Sequence, residues 1–158
     1  MFLFIKKFLR DAFFNTALPL KKMYWFVFRP HTKGAQCIVE YNGKILLERL
    51  RYGSHKWALP GGAVKKHESF EEGARREVFE EVGIQLGALT ELDDFTSTLE
   101  YKIDRVKTFA AHVEDLHFEI DGFEVSEARW FDLNEPVPQP YRTYLPRLVE
   151  KYKVLYRN

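Results

Sequence analysis

Three glutamates in one short segment carry the clearest chemical signal in the sequence. Glu77, Glu80 and Glu81 stand at positions i, i+3 and i+4, and residues at this spacing share one side of a helix. Three like charges there repel one another, at roughly 0.2–0.5 kcal/mol for each pair. A divalent cation would remove this repulsion. Magnesium fits best, because it prefers carboxylate and phosphate oxygens and keeps several waters, one of which can become a nucleophile.

The helix that must position these glutamates has clear start and stop signals. Ser69 and Glu72 have the spacing of a capping box, and Gly83 stands where a left-handed C-terminal cap is expected. The sequence therefore predicts a helix over 69–82. One apolar stripe of this helix can bury against a sheet, and its members recur every four residues: Phe70, Ala74, Val78 and Val82.

A plainer interpretation of the three glutamates is a solvated acidic face paired with Arg75 and Arg76, and the three residues alone favour it. The surrounding segment reverses this preference, because it matches a longer pattern at every specified position. The matching residues are Gly62, Glu68, Arg76, Glu77, Val78, Glu80, Glu81, Gly83 and Ile84. This segment, residues 62–84, resembles a complete Nudix box, and the weaker resemblance extends over roughly residues 33–135.

The resemblance implies an α/β fold, the α/β/α sandwich with a mixed β-sheet of the Nudix family. It also implies magnesium-dependent hydrolysis of a diphosphate linkage in a nucleotide, with manganese as a substitute metal. Carried over to this chain, the metal ligands would be the Glu77, Glu80 and Glu81 carboxylates and the Gly62 carbonyl, and Arg76 would orient a glutamate by a salt bridge. Glu77 and Glu81 both stay open as the general base.

A fourth carboxylate is expected from the loop before the last predicted strand, where family members often supply one. Glu119, Asp121, Glu124 and Glu127 all compete for this place. Glu124 matches the family spacing best, since it stands six residues before Trp130. We therefore expect Glu124 to act as a metal ligand or proton acceptor.

Substrate contacts outside the box are less sharply indicated. The residues expected to meet phosphate or to stack on a base all precede the glycine-rich LPGG loop: Arg49, Arg51, Tyr52 and Trp57. Arginines on a strand and a buried tryptophan are as often structural. The substrate class also stays open among nucleotide sugars, nucleoside triphosphates, dinucleoside polyphosphates and capped RNA ends. The alternative function is a non-catalytic module that senses a nucleotide, although such a module would be expected to have lost box acids.

The remaining elements follow from turn signals and periodicity. Asn42-Gly43 joins AQCIVEY to KILLERL as a β-hairpin. Further strands are predicted near 94–101 and 105–113 and at EARWFDL. A closing helix shows one stripe, formed by Tyr144, Leu148, Tyr152 and Leu155.

The chain of 158 residues suits a single domain with an extension, which we divide into a helical N-terminal extension (1–30) and a Nudix hydrolase domain (31–158). Residues 2–14 predict a basic amphipathic helix, and Pro19 and Pro30 interrupt the segment after it. We expect this helix to pack on the domain or on a second copy in a homodimer, or else to touch a membrane surface, and we expect residues 1–20 to be dispensable for chemistry.

Composition excludes several other classes of protein. With 24 basic and 23 acidic residues the net charge is +1, which argues against broad electrostatic binding of nucleic acid. The apolar N-terminus is broken by Lys6 and Lys7, and no run of residues is long and apolar enough to span a bilayer. Cys37, the single cysteine, cannot form an intrachain disulfide and suits a reducing cytoplasm.

Overall fold

The structure is a computed structural model that describes Ala12, residues 16–120 and residues 122–156. In chain order its elements are α1 (Leu18–Phe28), β1 (His31–Tyr41), β2 (Lys44–Leu50), β3 (Gly61–Ala63), α2 (Phe70–Val82), β4 (Thr90–Ser97), a 3-10 turn (Leu99–Tyr101), β5 (Ile103–His112), β6 (Val125–Asp132) and α3 (Leu145–Tyr156).

The strands form one mixed sheet of six strands, in the order β4-β5-β1-β2-β6 with β3 also paired to β1. β1 and β5 run parallel from His31 to Glu40, and the other pairs are antiparallel. Because β5 occupies one edge of β1 along this length, β2 and β3 share the other edge. β1 is therefore the central strand, and it holds the start of the box segment through β3.

Helices cover both faces of this sheet. Ala74, Val78 and Val82 of α2 are buried in the core on one face, and Leu145 and Leu148 of α3 are buried in the core on the other. The fold is thus an α/β/α sandwich with a mixed sheet, as expected from the sequence.

The hairpin and the capped helix are confirmed in detail. Asn42 and Gly43 both have positive φ angles, 44° and 80°, as a tight two-residue turn requires. The Ser69 Oγ accepts a hydrogen bond from the Glu72 amide, and the Glu72 carboxylate accepts one from the Ser69 amide. Gly83 caps the helix with φ 71°.

Three elements differ from the prediction. The glycine-rich loop becomes strand β3, since Gly61 and Gly62 lie in register with Gln36 and Ala35 of β1. The segment predicted near 94–101 begins earlier, at Thr90, and its end turns into the short 3-10 turn. Leu155 belongs to the predicted stripe of the closing helix but is 56% exposed, because the stripe outruns the sheet that it covers.

The N-terminal region differs most from the prediction. The helix predicted over 2–14 falls on residues that, apart from Ala12, lie outside the described part of the chain. Helix α1 (Leu18–Phe28) was not predicted, because Pro19 indicates an interruption of helical structure at this point of the sequence. Pro19 lies in the first helical turn, where an amide has no helical partner and proline is tolerated.

Candidate active site

Two glycines let the box segment approach its neighbours closely. A Cβ on Gly61 would lie 2.5 Å from the Gln36 Cα of β1, and one on Gly62 would lie 2.5 Å from the Glu77 Oε2. Both distances are far inside van der Waals contact. The absence of a side chain at these positions thus allows β3 to pair with β1 and brings the Glu77 carboxylate against the Gly62 backbone.

Arg76 organises the acidic face of α2. Its Nε and Nη2 donate to the two carboxylate oxygens of Glu68 at 2.6 and 2.9 Å. Its Nη1 donates to Glu77 at 2.7 Å and to Glu80 at 3.0 Å. The hydrogen bonds from the Arg76 guanidinium and, to a smaller extent, from the Lys65 amide together lower the pKa of Glu68 to about 2. Glu68 therefore acts on the site through Arg76.

Glu81 is the most deeply placed acid of the face. It is 6% exposed, and its Oε2 accepts a hydrogen bond from the Gly61 amide at 2.8 Å. Burial raises the pKa of Glu81, and the nearby carboxylates of Glu48 and Glu77 raise it further. Burial also raises the pKa of Glu77, against the opposing effect of Arg76. These buried carboxylates lie where added positive charge would stabilise them.

Glu124 lies with the box acids, as the spacing indicated. Its charge raises the pKa of both Glu77 and Glu81, and its Oε2 accepts a hydrogen bond from the Tyr52 hydroxyl at 3.0 Å. Of its competitors, Glu127 contacts Arg49 and Arg129, and the Glu119 side chain is 81% exposed. Asp121 lies outside the described residues.

These acids line one side of a cavity of about 500 Å³, within the range that small-molecule sites occupy. The acidic wall contains Glu77, Glu80, Glu81 and Glu124. Other walls carry cationic and aromatic side chains: Lys21, Lys22, Trp25, Tyr52, Lys65, Lys102, Arg142 and Tyr144. A metal ion bound to a polyanionic ligand would lie against the acidic wall. The anionic groups of that ligand would lie against the cationic walls.

The four residues proposed for substrate contact separate into two groups. Within the described residues Tyr52 lines this cavity, whereas Arg49, Arg51 and Trp57 are not among its walls. Trp57 is 3% exposed and packs edge-on against Phe131 in the core at 4.8 Å, with the Arg49 guanidinium 4.3 Å above its ring. The Arg51 Nε donates to the Gly122 carbonyl. Arg49, Arg51 and Trp57 thus make contacts within the fold. These contacts favour the structural role that the sequence leaves open for them.

Sequence reasoning overlooked the cavity residues that come from outside the box. Trp25 of α1 and Arg142 line the cavity. Glu48 on β2 is not among the described residues that line it, but it is almost fully buried and raises the pKa of Glu81. A glutamate inside the apolar run KILLERL was a usable signal for Glu48, because buried carboxylates are rare without a function or a partner. No local signal marks Arg142, which reaches the cavity through the fold alone.

Comparison with known proteins places this site in a family. The model of the NUDIX domain matches residues 30–152. The chain belongs to the Nudix family. It is 34% identical over 121 residues to Nudix hydrolase 6 of Arabidopsis thaliana, covering 73% of this chain and 40% of that protein. It is 35% identical over 78 residues to the RNA pyrophosphohydrolase of Tolumonas auensis, covering 49% of this chain and 43% of that protein.

The Nudix fold is also seen in solved structures. The crystal structure of the MutT NUDIX hydrolase from Burkholderia pseudomallei superposes with a TM-score of 0.69 at 25% identity, covering 77% of this chain and 97% of that one. The matched curated relatives are longer proteins, of which this Nudix chain spans 40% and 43%. No helix among the described residues is long and apolar enough to cross a membrane.

The Nudix box fits a divalent metal ion by the chemistry of its donors. The hard oxygen ligands that magnesium prefers would be Glu77, Glu80, Glu81 and Glu124, with the carbonyl of Gly62. Within the described part of the chain, no three acidic, histidine or cysteine side chains already converge closely enough to enclose an ion. Arg76 donates hydrogen bonds to the Glu77 and Glu80 carboxylates, which are two of these candidate ligands.

Proposed function

We propose that this Nudix protein is a magnesium-dependent hydrolase that uses water to cut a diphosphate linkage in a nucleotide-type substrate. The observation that carries the proposal is the cavity in which Glu77, Glu80, Glu81 and Glu124 face cationic and aromatic walls. Buried carboxylates that repel one another are a poor choice for stability alone. They suit a site that must concentrate positive charge on a diphosphate.

The chain's own residues position the reacting groups. Arg76 orients Glu77 and Glu80, and Glu68 on the far side of the guanidinium fixes that arginine. The Gly61 amide orients Glu81, and the Tyr52 hydroxyl orients Glu124. Preorganised groups of this kind lower a barrier because they need not rearrange as charge develops.

Bound magnesium would neutralise the diphosphate and lower the pKa of a water that attacks phosphorus. Proton acceptance falls to a carboxylate within hydrogen-bond reach of that water. Glu81 and Glu77 are the proposed acceptors, because both carboxylates line the cavity where that water would be bound. Glu124 would serve as a further ligand.

The substrate side is proposed from the cationic wall and from the relatives. Lys65, Lys102 and Arg142 line the cavity and can pair with phosphate oxygens. One matched relative is an RNA pyrophosphohydrolase, so capped RNA ends belong among the substrates to be tried with nucleotide sugars, nucleoside triphosphates and dinucleoside polyphosphates. We further propose a cytoplasmic location and association as a homodimer, and we retain the division of the chain at residues 30 and 31.

The test is hydrolysis of that substrate panel in magnesium, in manganese and in chelator. We expect turnover of at least one substrate only with metal, a loss of most of the rate in Glu81→Gln, and a large loss in Glu124→Gln. The matched control is Glu127→Gln, an acid of the same segment whose side chain pairs with arginines instead. Binding without turnover would favour the nucleotide-sensing module. Full turnover in chelator would refute the metal requirement.

A further inference from the structure

Helix α1 has one face toward the catalytic cavity. Leu18, Lys22 and Trp25 are partly buried and line this cavity, and their spacing of i, i+4 and i+7 places them on one side of a helix. Neighbouring residues such as Tyr24 and Val27 are exposed. A segment that precedes the strands of the sheet therefore builds part of the site.

The position of Trp25 is fixed from several directions. The helix ends three residues later, at Phe28, and the amide of the capping residue Arg29 donates to the Trp25 carbonyl at 2.9 Å. The next residue, Pro30, accepts a hydrogen bond from the Ile103 amide at 3.0 Å, which attaches the end of α1 to the start of β5. Phe26 packs edge-on against Tyr101 at 5.1 Å. The end of α1 that carries Trp25 is thus attached to the start of β5.

Two ammonium groups lie beside this indole. The Lys21 Nζ is 5.0 Å and the Lys102 Nζ is 4.9 Å from the centre of the Trp25 ring. Both lysines line the cavity with the ring, and Lys102 is held by an ion pair with Asp104 at 3.0 Å. Both ammonium groups lie over the ring in cation–π contact, so a heterocycle would gain a face of the indole for stacking as an ammonium group moves to pair with the phosphates attached to it.

Trp25 also differs from a tryptophan that serves packing. Trp57 lies inside the core, in contact with Leu and Phe side chains. Trp25 belongs to neither core cluster and presents its ring to the cavity. Trp57 thus packs in the core, whereas Trp25 is placed where a ligand in the cavity could contact it.

We propose that Trp25 is a specificity-determining residue that stacks on the base of the nucleotide substrate, with Lys21 and Lys102 beside its phosphates. This inference rests on the proposed function for the kind of ligand. It adds that α1 takes part in substrate recognition, so a truncation that removed α1 would change substrate affinity. The prediction that residues 1–20 are dispensable concerns the chemistry; because these residues include Leu18 and the first turn of α1, their deletion is expected to weaken substrate binding if α1 takes part in recognition.

The test compares ligands with and without a base, none of which is hydrolysed. The probes are α,β-methylene diphosphates of adenosine, guanosine, cytidine and uridine, and methylene diphosphonate, titrated calorimetrically in magnesium. Loss of one stacked base weakens binding about 5- to 150-fold by alanine substitution. We expect Trp25→Ala to weaken the best nucleotide probe by this factor, to leave methylene diphosphonate within about twofold, and Trp25→Phe to retain most of the affinity.

The control is Tyr24→Ala, which removes an aromatic ring from the same helix. Tyr24 is 51% exposed, packs against Phe28 in a tilted arrangement and is not among the residues that line the cavity, so this variant should bind every probe as the unmodified protein does. The proposal is overturned if Trp25→Ala binds the nucleotide probes normally, if it loses both probe types equally, or if the unmodified protein does not favour a base. Because no probe is cleaved, failure of catalysis and failure of base stacking give different results.

Discussion

Replacing Gly62 by alanine should disable the site while sparing the fold. The new Cβ would lie 2.5 Å from the Glu77 Oε2, so the carboxylate must withdraw by about 0.9 Å to reach the 3.4 Å at which ordinary van der Waals contact begins. Gly62 is not among the residues with positive φ, so the backbone accepts alanine. The atoms that must move end a flexible side chain, and unfolding free energy should change little. A misplacement of about 1 Å at a reacting group can cost roughly 100-fold in rate.

The assay pairs turnover with thermal unfolding for Gly62→Ala and Gly87→Ala. A Cβ on Gly87 meets nothing within 4 Å, so the control should keep both its rate and its melting temperature. We expect Gly62→Ala to lose about 100-fold in kcat and to need more magnesium for half-maximal rate, with a melting temperature close to that of the control. Normal turnover in Gly62→Ala would refute the close placement of Glu77 against the Gly62 backbone.

Three further predictions concern stability and reactivity. The pKa of Glu68 lies near 2 in the folded protein, below its ordinary value of 4.5. The stabilising effect of this carboxylate is therefore present above pH 4.5 and is lost as the pH falls toward 2. Acid unfolding scans should show that Glu68→Gln loses less stability than the unmodified protein between these pH values, and equal losses would count against the Arg76 pairing. Leu148→Ala should lower the unfolding free energy by about 2–5 kcal/mol, since Leu148 is fully buried, whereas urea titration of Leu155→Ala should show a much smaller change; equal changes would contradict the burial. Burial raises the pKa of the Cys37 thiol, so a thiol reagent should label it only after denaturation. Rapid labelling of the native protein would show that the core around Cys37 opens to solvent.

The box helix was predictable because its determinants are local. The capping residues, the apolar stripe and the acidic face all lie within one segment, so the sequence spacing specifies which side chains share a side. Glu124 was also placed correctly beside the box acids, although it comes from a distant loop, because the family pattern carries that spacing. The role of each of these residues stays a prediction.

The walls of the cavity were less accessible to sequence reasoning. Trp57 precedes the glycine-rich loop and was a candidate for stacking, yet it packs in the core. Trp25 had no predicted role, because Pro19 indicated an interruption of the chain where α1 begins. The faces of α1 also differ little in polarity. The two tryptophans differ in their surroundings, because Trp57 packs in a core cluster and Trp25 lines the cavity. That depends on long-range strand pairing, which local patterns do not specify.

The most direct test of the account is hydrolysis in water enriched in oxygen-18. With the best substrate of the panel and magnesium, one heavy oxygen should enter one phosphate of the products per turnover, as attack of water on phosphorus requires. Chelator should abolish this incorporation, and the folded Glu81→Gln variant should lose most of its rate. Turnover that leaves the heavy oxygen out of phosphate, or incorporation that persists equally in chelator and in Glu81→Gln, would contradict metal-dependent hydrolysis at these carboxylates.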